Sequence, residues 1–157
     1  MPAPIFVTGA AGFIGHAVAH RLLARGERVI GVDIVNDYYD PALKEARLAT
    51  FTGINSFAFE RVDIADADKM KALVRDNNIL RVVHLAAQAG VRYSLENPRA
   101  YVDANLVGTF NVMECARELG VDHLLMASTS SVYGANTDMP FTETQKCDTP
   151  LTLYAAT

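Results

Sequence analysis

The chain has 157 residues, of which 50% are hydrophobic and 20% charged, and its formal net charge is −4. This length predicts one domain, and this composition is typical of a folded globular protein and excludes a disordered chain. The acidic balance argues against a protein that mainly binds nucleic acid or an anionic lipid surface, because both tasks need clustered Lys and Arg.

The sequence also predicts a cellular compartment. No apolar run approaches the roughly 20 residues that a membrane helix needs, and the first predicted strand begins too early to leave room for a signal peptide. Cys115 lies in a predicted helix and Cys147 in a polar loop, and this arrangement matches neither a metal site nor a disulfide framework. We therefore expect a cytosolic protein with both thiols reduced.

Short β-branched segments alternate with longer segments of helical periodicity. The predicted strands are residues 5–7, 28–33, 57–62, 81–85 and 123–127. The predicted helices are residues 13–25, 41–50, 66–76 and 98–119. The last helix is about six turns long, begins at the signal Asn97-Pro98 and ends at Gly120. This alternation predicts an α/β fold, a doubly wound parallel sheet with helices on both faces.

A glycine-rich loop, T-G-A-A-G-F-I-G over residues 8–15, joins the first strand to the first helix. Gly9 permits a tight turn, Gly12 lets a pyrophosphate approach the backbone, and Gly15 lets the helix pack closely. The spacing is one residue wider at its start than the usual dinucleotide fingerprint. Asp33 ends the second strand, where a carboxylate accepts hydrogen bonds from an adenosine ribose and repels the 2′-phosphate of NADP. These features predict NAD binding, and the alternative is a structural turn beside a solvated aspartate.

Further polar groups follow the later strands. Asp63 follows the third strand and is predicted either to reach the adenine edge or to cap the next helix. Residues 128–131, Ser-Thr-Ser-Ser, follow the fifth strand at the edge where open α/β sheets bind ligands, and Tyr154 comes later. Taken alone, these hydroxyls are turn formers and Tyr154 is a core aromatic.

Together these motifs resemble the extended short-chain dehydrogenases/reductases, in particular the NAD-dependent nucleotide-sugar epimerases and dehydratases with a Rossmann fold. The resemblance covers the whole chain. It rests on the glycine loop, on His-Leu-Ala-Ala at residues 84–87, on Asn105, on residues 128–134, and on Tyr154, which opens the family's Tyr-x-x-x-Lys motif. Residues 31–48 and 89–94 are most similar to UDP-glucuronate 4-epimerases.

The resemblance implies a 4-epimerase that acts on a UDP-sugar, UDP-glucuronate or UDP-galacturonate, by transient oxidation at C4 with a tightly held NAD. It implies that Tyr154 takes the proton of the sugar 4-hydroxyl and that Thr129 hydrogen-bonds that oxygen. The implied cofactor contacts are Gly9, Ala11, Gly12, Phe13, Ile14, Gly15, Asp33, Asn36, Asp63, Ile64, Leu85, Ala86, Ala87, Gln88, Asn105 and Tyr154. The implied substrate contacts are Arg92, Ser128, Thr129 and Ser130, and no metal is expected.

Several alternatives stay open at this point. Asn105 is equally well a buried structural amide, and Arg92 is more readily a surface arginine. A nucleotide-sugar 4,6-dehydratase is disfavoured because that group places an acid pair after the threonine, where this chain has Ser130 and Ser131. A non-catalytic NAD-binding module is the remaining alternative.

The lysine of the Tyr-x-x-x-Lys motif would follow Thr157. We therefore expect residues 1–157 to form a truncated NAD-binding domain, incomplete on its C-terminal side and lacking the substrate-binding portion. On this interpretation the chain alone has little or no epimerase activity and exposes an apolar edge beside its fifth strand. The resemblance also implies a homodimer formed through residues 98–119.

Overall fold

The computed structural model describes residues 2–157, which form a five-stranded parallel sheet with flanking helices. The strands are β1 (Ile5–Thr8), β2 (Val29–Asp33), β3 (Phe57–Arg61), β4 (Arg81–His84) and β5 (His123–Met126). Their order across the sheet is β3-β2-β1-β4-β5, and every neighbouring pair is parallel. The winding reverses between β1 and β4, which opens a crevice at their carboxyl ends. The predicted doubly wound parallel sheet is confirmed.

Seven α-helical segments accompany the described part of the sheet. They are α1 (Phe13–Ala24), α2 (Pro41–Ala49), α3 (Ala67–Asp76), α4 (Tyr93–Glu96), α5 (Pro98–Tyr101), α6 (Thr109–Leu119) and α7 (Leu153–Ala156). A 3₁₀ turn over Ser130–Tyr133 follows β5. Among residues 2–157, no helix has both the length and the apolar character needed to cross a membrane.

Helices cover both faces of the sheet, as the sequence predicts. One core cluster joins Val82 of β4 to Met70 of α3 and Val112 of α6. A second joins Val7 of β1 to Ala19 of α1. These two apolar layers fix the sheet, so its carboxyl-end loops extend from a rigid support.

The prediction of one regular helix over residues 98–119 needs correction. The Asn97 side chain accepts a hydrogen bond from the Ala100 amide at 3.4 Å, and Gly120 ends the helix, as expected. Between α5 and α6, however, Val102–Gly108 is a π-helix. Such segments are wider than α-helix and recur at functional sites. Tertiary hydrogen bonds, which periodicity does not reveal, anchor this segment.

β5 is an edge strand of the described sheet, and its side chains lie near the surface. Leu125 and Met126 are 54% and 40% exposed. The expectation of an apolar surface beside the fifth strand is confirmed.

Candidate functional site

A cavity of about 750 Å³ opens at the carboxyl ends of β1, β2 and β4. Its volume is within the range of about 300–1,000 Å³ that is typical of small-molecule sites. The predicted cofactor contacts that line it are Gly9, Gly12, Phe13, Ile14, Gly15, Asp33, Asn36, Asp63, Ile64, Leu85, Ala86, Ala87 and Gln88. The fold thus brings together residues from the glycine loop and from the ends of three further strands.

The glycine loop forms one wall of the cavity. A Cβ at Gly15 would overlap the carbonyl group of Gly9, so only glycine lets α1 begin this close to the loop. Gly12 caps α1 without a side-chain hydrogen bond to the helix. The first amides of α1 are therefore available to an anionic group.

Asp33 anchors the glycine loop to the end of β2. Its Oδ2 accepts a hydrogen bond from the Ala11 amide at 3.2 Å, and its Oδ1 accepts one from the Val35 amide at 2.8 Å. Ala11, a predicted cofactor contact, is buried and is not among the residues that line the cavity. A carboxylate has about four acceptor positions, so Asp33 keeps capacity for a further donor from the cavity.

Two cations that the sequence analysis missed lie near the end of β2 and the glycine loop. The Lys44 Nζ donates to the Asn36 Oδ1 at 2.8 Å and lies 3.5 Å from the Asp33 Oδ1. Arg47 Nη1 donates to the Ala11 carbonyl oxygen at 3.2 Å. Both cations line the cavity. The nearest signal in the sequence is that both lie on the helix after Asp33, but a lysine in a mixed helix is ordinarily solvent-exposed.

Thr8 and His84 hold the end of β4 beside the cavity. Thr8 Oγ1 accepts hydrogen bonds from the amides of Leu85 and Ala86, each at 3.0 Å, and lies 2.7 Å from His84 Nδ1. His84 Nε2 lies 3.1 Å from the Thr109 Oγ1. Burial lowers the pKa of His84 to about 4, so the ring is neutral near neutral pH.

Asn105 lies in the π-helix and is buried. Its Oδ1 accepts from the Gln88 amide at 2.8 Å, and its Nδ2 donates to the Gln88 carbonyl oxygen at 3.0 Å and to the Thr157 Oγ1 at 3.1 Å. These bonds match the interpretation as a structural amide that holds the loop after β4. A direct contact with the cofactor remains a prediction.

Asp63 lies at the cavity after β3. Its Oδ1 accepts from the Ala65 amide at 2.9 Å and closes a turn. The helix-cap alternative is wrong, because Asp66 caps α3 by accepting from the Lys69 amide at 3.1 Å. Contact between Asp63 and an adenine edge remains a prediction.

Thr129 follows β5 and precedes the 3₁₀ turn, and Tyr154 lies on α7. Thr129 Oγ1 accepts from the Ser131 amide at 3.2 Å and caps the 3₁₀ turn, which leaves its hydroxyl hydrogen to be donated. Helix α7 packs against this turn, so the fold brings the two elements together. Ser128 and Ser130 flank Thr129 and are exposed. Within residues 2–157, none of these side chains lines the cavity described above.

Tyr101 links Tyr154 to the loop after β4. The two rings meet edge to face with centroids 5.8 Å apart. The Tyr101 hydroxyl donates to the carbonyl oxygen of Ala89 at 2.9 Å and also contacts that of Gly90. Burial raises the pKa of Tyr101, so the hydroxyl stays protonated and remains a donor. Arg92 follows this loop at the start of α4 and is exposed, and its predicted contact with a substrate remains a prediction.

Known proteins match nearly the whole length of this chain in sequence. The family model described as GDP-mannose 4,6 dehydratase matches residues 6–157. A probable UDP-glucuronate 4-epimerase from Rhizobium meliloti is 50% identical over 151 residues, which is 96% of this chain and 44% of the relative. The UDP-glucuronate 4-epimerase of Thermodesulfobacterium geofontis is 49% identical over 151 residues, 96% of this chain and 46% of the relative.

A solved structure has the same fold over this length. UDP-glucuronic acid 4-epimerase from Bacillus cereus, in complex with UDP-glucuronic acid and NAD, superposes with a TM-score of 0.87 at 33% identity. The match covers 98% of this chain and 48% of that one. The chain thus spans about half the length of the relatives it matches. It belongs to the GDP-mannose 4,6 dehydratase family, within the nucleotide-sugar epimerases and dehydratases of the extended short-chain dehydrogenases/reductases.

Proposed function

We propose that this chain is the NAD-binding part of a nucleotide-sugar 4-epimerase, and that the sugar substrate is UDP-glucuronate. The observation that carries the proposal is the cavity where the glycine loop, Asp33 and the loop after β4 converge. The choice of sugar is supported by two relatives with 49% and 50% identity whose names contain UDP-glucuronate 4-epimerase.

The lining of the cavity fits a dinucleotide. The unoccupied amides at the start of α1 suit a pyrophosphate, and Asp33 has acceptor capacity for a ribose hydroxyl. Ala86 and Ala87 leave an uncharged surface at the end of β4. Bound NAD would supply the acceptor for the hydrogen removed from sugar C4, while the protein binds and orients both molecules.

We assign the proton chemistry to the region where α7 packs against the 3₁₀ turn that follows β5. Tyr154 Oη takes the proton of the sugar 4-hydroxyl, and the Thr129 hydroxyl donates a hydrogen bond to the same oxygen. Ser128, Ser130 and Arg92 are proposed substrate contacts, Arg92 for a carboxylate or phosphate. The family's lysine would follow Thr157, and without its positive charge we propose that the chain alone has little or no epimerase activity.

The first experiment measures binding of NAD to the chain by thermal denaturation. A ligand that binds only the folded state raises its stability, by about 2.7 kcal/mol when its concentration is 100 times the dissociation constant. We expect an upward shift of the melting temperature with millimolar NAD and none with nicotinamide alone. Absence of a shift with NAD would overturn the proposed cofactor site.

The second experiment separates epimerase from dehydratase. The chain is compared with a version extended by the coding sequence downstream of Thr157, and each is incubated with UDP-glucuronate, UDP-glucose or GDP-mannose. We expect the extended protein to convert UDP-glucuronate to UDP-galacturonate with no change of mass, and the short chain to be inactive. A product lighter by one water from UDP-glucose or GDP-mannose would favour the dehydratase alternative.

We also propose that the protein is cytoplasmic and forms a homodimer through α6 and the π-helix. Leu106, Phe110 and Met113 recur at helical spacing and are 47%, 57% and 43% exposed. Contiguous exposed apolar surface of this kind marks interaction sites on globular proteins. The equivalent face on a second copy is the proposed partner, because a two-fold axis lets one apolar stripe cover another.

A further inference from the structure

The ion pair of Lys44 and Asp33 is buried within the proposed cofactor site. Each side chain is 7% exposed, with Lys44 Nζ 3.5 Å from Asp33 Oδ1. Lysine is almost never buried this deeply unless it is paired. Lys44 therefore holds a charge next to the carboxylate that is proposed to contact the adenosine ribose.

This pairing changes the charge argument for cofactor choice. An isolated carboxylate at the end of β2 repels a 2′-phosphate, which favours NAD over NADP. Here the buried pair has no net charge, and Arg47 adds a cation to the same wall of the cavity. The repulsion by Asp33 is therefore opposed by the attraction of Lys44 at nearly the same place.

Lys44 also has a donor left for a ligand. An ammonium group carries three hydrogens. One is directed to Asn36 Oδ1 at 2.8 Å and another toward Asp33, and the Nζ also lies 5.0 Å from the centroid of the Tyr39 ring. Among the described residues, the third hydrogen has no hydrogen-bond acceptor. Lys44, Asn36 and Asp33 all line the cavity, so a ribose oxygen that meets the carboxylate also comes within range of the ammonium group.

We propose that Lys44 is a specificity-determining residue of the cofactor site, and that the Lys44–Asp33 pair, rather than Asp33 alone, sets the preference between NAD and NADP. The inference rests on the proposed function, because it assumes that a dinucleotide occupies the cavity. It predicts that the two charges act in opposite directions on the preference.

The test measures dissociation constants of NAD and NADP by calorimetry for the unchanged chain and four variants. Lys44→Met gives an uncharged side chain that is one atom shorter and leaves Asp33 without its cation, so the NAD preference should rise by about tenfold or more. Asp33→Asn leaves Lys44 unpaired, so the preference should shift toward NADP by about tenfold or more. The double variant restores charge balance and should return to within about threefold of the original ratio. Lys146→Met, in an exposed loop, is the matched control.

The outcomes separate the two proposals. Circular dichroism checks that each variant is folded, and if Lys44→Met does not fold, Asp33→Asn and the double variant decide. Variants that weaken NAD and NADP binding by the same factor would overturn the role of Lys44 and leave it as an anchor of α2. An unchanged chain that binds neither dinucleotide would instead overturn the proposed function.

Discussion

The hydroxyl of Thr8 determines which nitrogen of His84 carries the proton. Thr8 Oγ1 already accepts two backbone hydrogen bonds, so its own hydrogen points to His84 Nδ1. His84 Nδ1 is then an acceptor, and Nε2 donates to Thr109. The network works only with a neutral ring, because a proton on Nδ1 would face the hydroxyl hydrogen.

Stability should therefore decrease in mild acid. Burial lowers the pKa of His84 from 6.5 to about 4, so between these values the unfolded chain binds the proton more readily. The contribution of His84 is complete above pH 6.5 and is lost as the pH falls through this window, by about 3 kcal/mol in total. Urea denaturation across this range measures the effect. His84→Gln should flatten the curve, and an equally steep curve for that variant would assign the loss to other groups.

The Asn105 amide provides a second test at the level of one side chain. Asn105→Asp keeps the shape but removes two donated hydrogen bonds and sets a carboxylate against the Gln88 carbonyl oxygen. We expect a loss of about 2 kcal/mol or more in the free energy of unfolding. Asn55→Asp, on an exposed turn, is the control and should change little. Equal stability of the two variants would show that Asn105 does not anchor the loop.

At the level of elements, periodicity and strand-end signals were sufficient for the sheet and for α1, α2 and α3, but they did not reveal the π-helix within residues 98–119. They were not sufficient for α4 and α7, because four residues complete barely one turn and show no period. The cap of α3 shows a similar limit of sequence reasoning. Asp63 and Asp66 are both suitable capping residues, and only the structure shows that Asp66 is the cap. The position of Lys44 beside Asp33 depends on a tertiary contact between α2 and the end of β2, which local sequence does not encode.

The start of α1 offers a test of close packing. Gly15→Ala places a Cβ against the Gly9 carbonyl group. This group belongs to the backbone, so it cannot move aside as a flexible side chain would. Gly26→Ala is the comparison, since Gly26 has positive φ but open space around the missing Cβ, and its strain is about 1–2 kcal/mol. We expect the Gly15 variant to unfold at lower urea than the Gly26 variant and to lose its NAD-induced thermal shift. The reverse order of stability would mean that the α1 contact is dispensable.

For the molecule as a whole, the exposed stripe of α6 predicts self-association. Sedimentation equilibrium should detect a concentration-dependent dimer, and Phe110→Asp should weaken it by placing a charge within the buried face. Met139→Asp is the matched control, because Met139 is also exposed but lies in a loop away from α6. Dimerisation that survives the Phe110 change would place the interface elsewhere, and a monomer at all concentrations would refute the homodimer.

The π-helix between α5 and α6 affects which way the side chains of α6 face. On one side of it, the Tyr101 hydroxyl holds the loop after β4, and on the other side Asn111 Nδ2 donates to the carbonyl oxygens of Ile64 and Ala65, each at 3.0 Å. A π segment accommodates one extra residue in a wider turn, so winding the same residues as regular α-helix would rotate everything downstream by about 100°. Asn111 would then lose its partners and the apolar stripe would point elsewhere. The π-helix therefore sets the rotation of α6 relative to α5. This rotation lets Tyr101 contact the loop after β4 while Asn111 contacts the loop after β3.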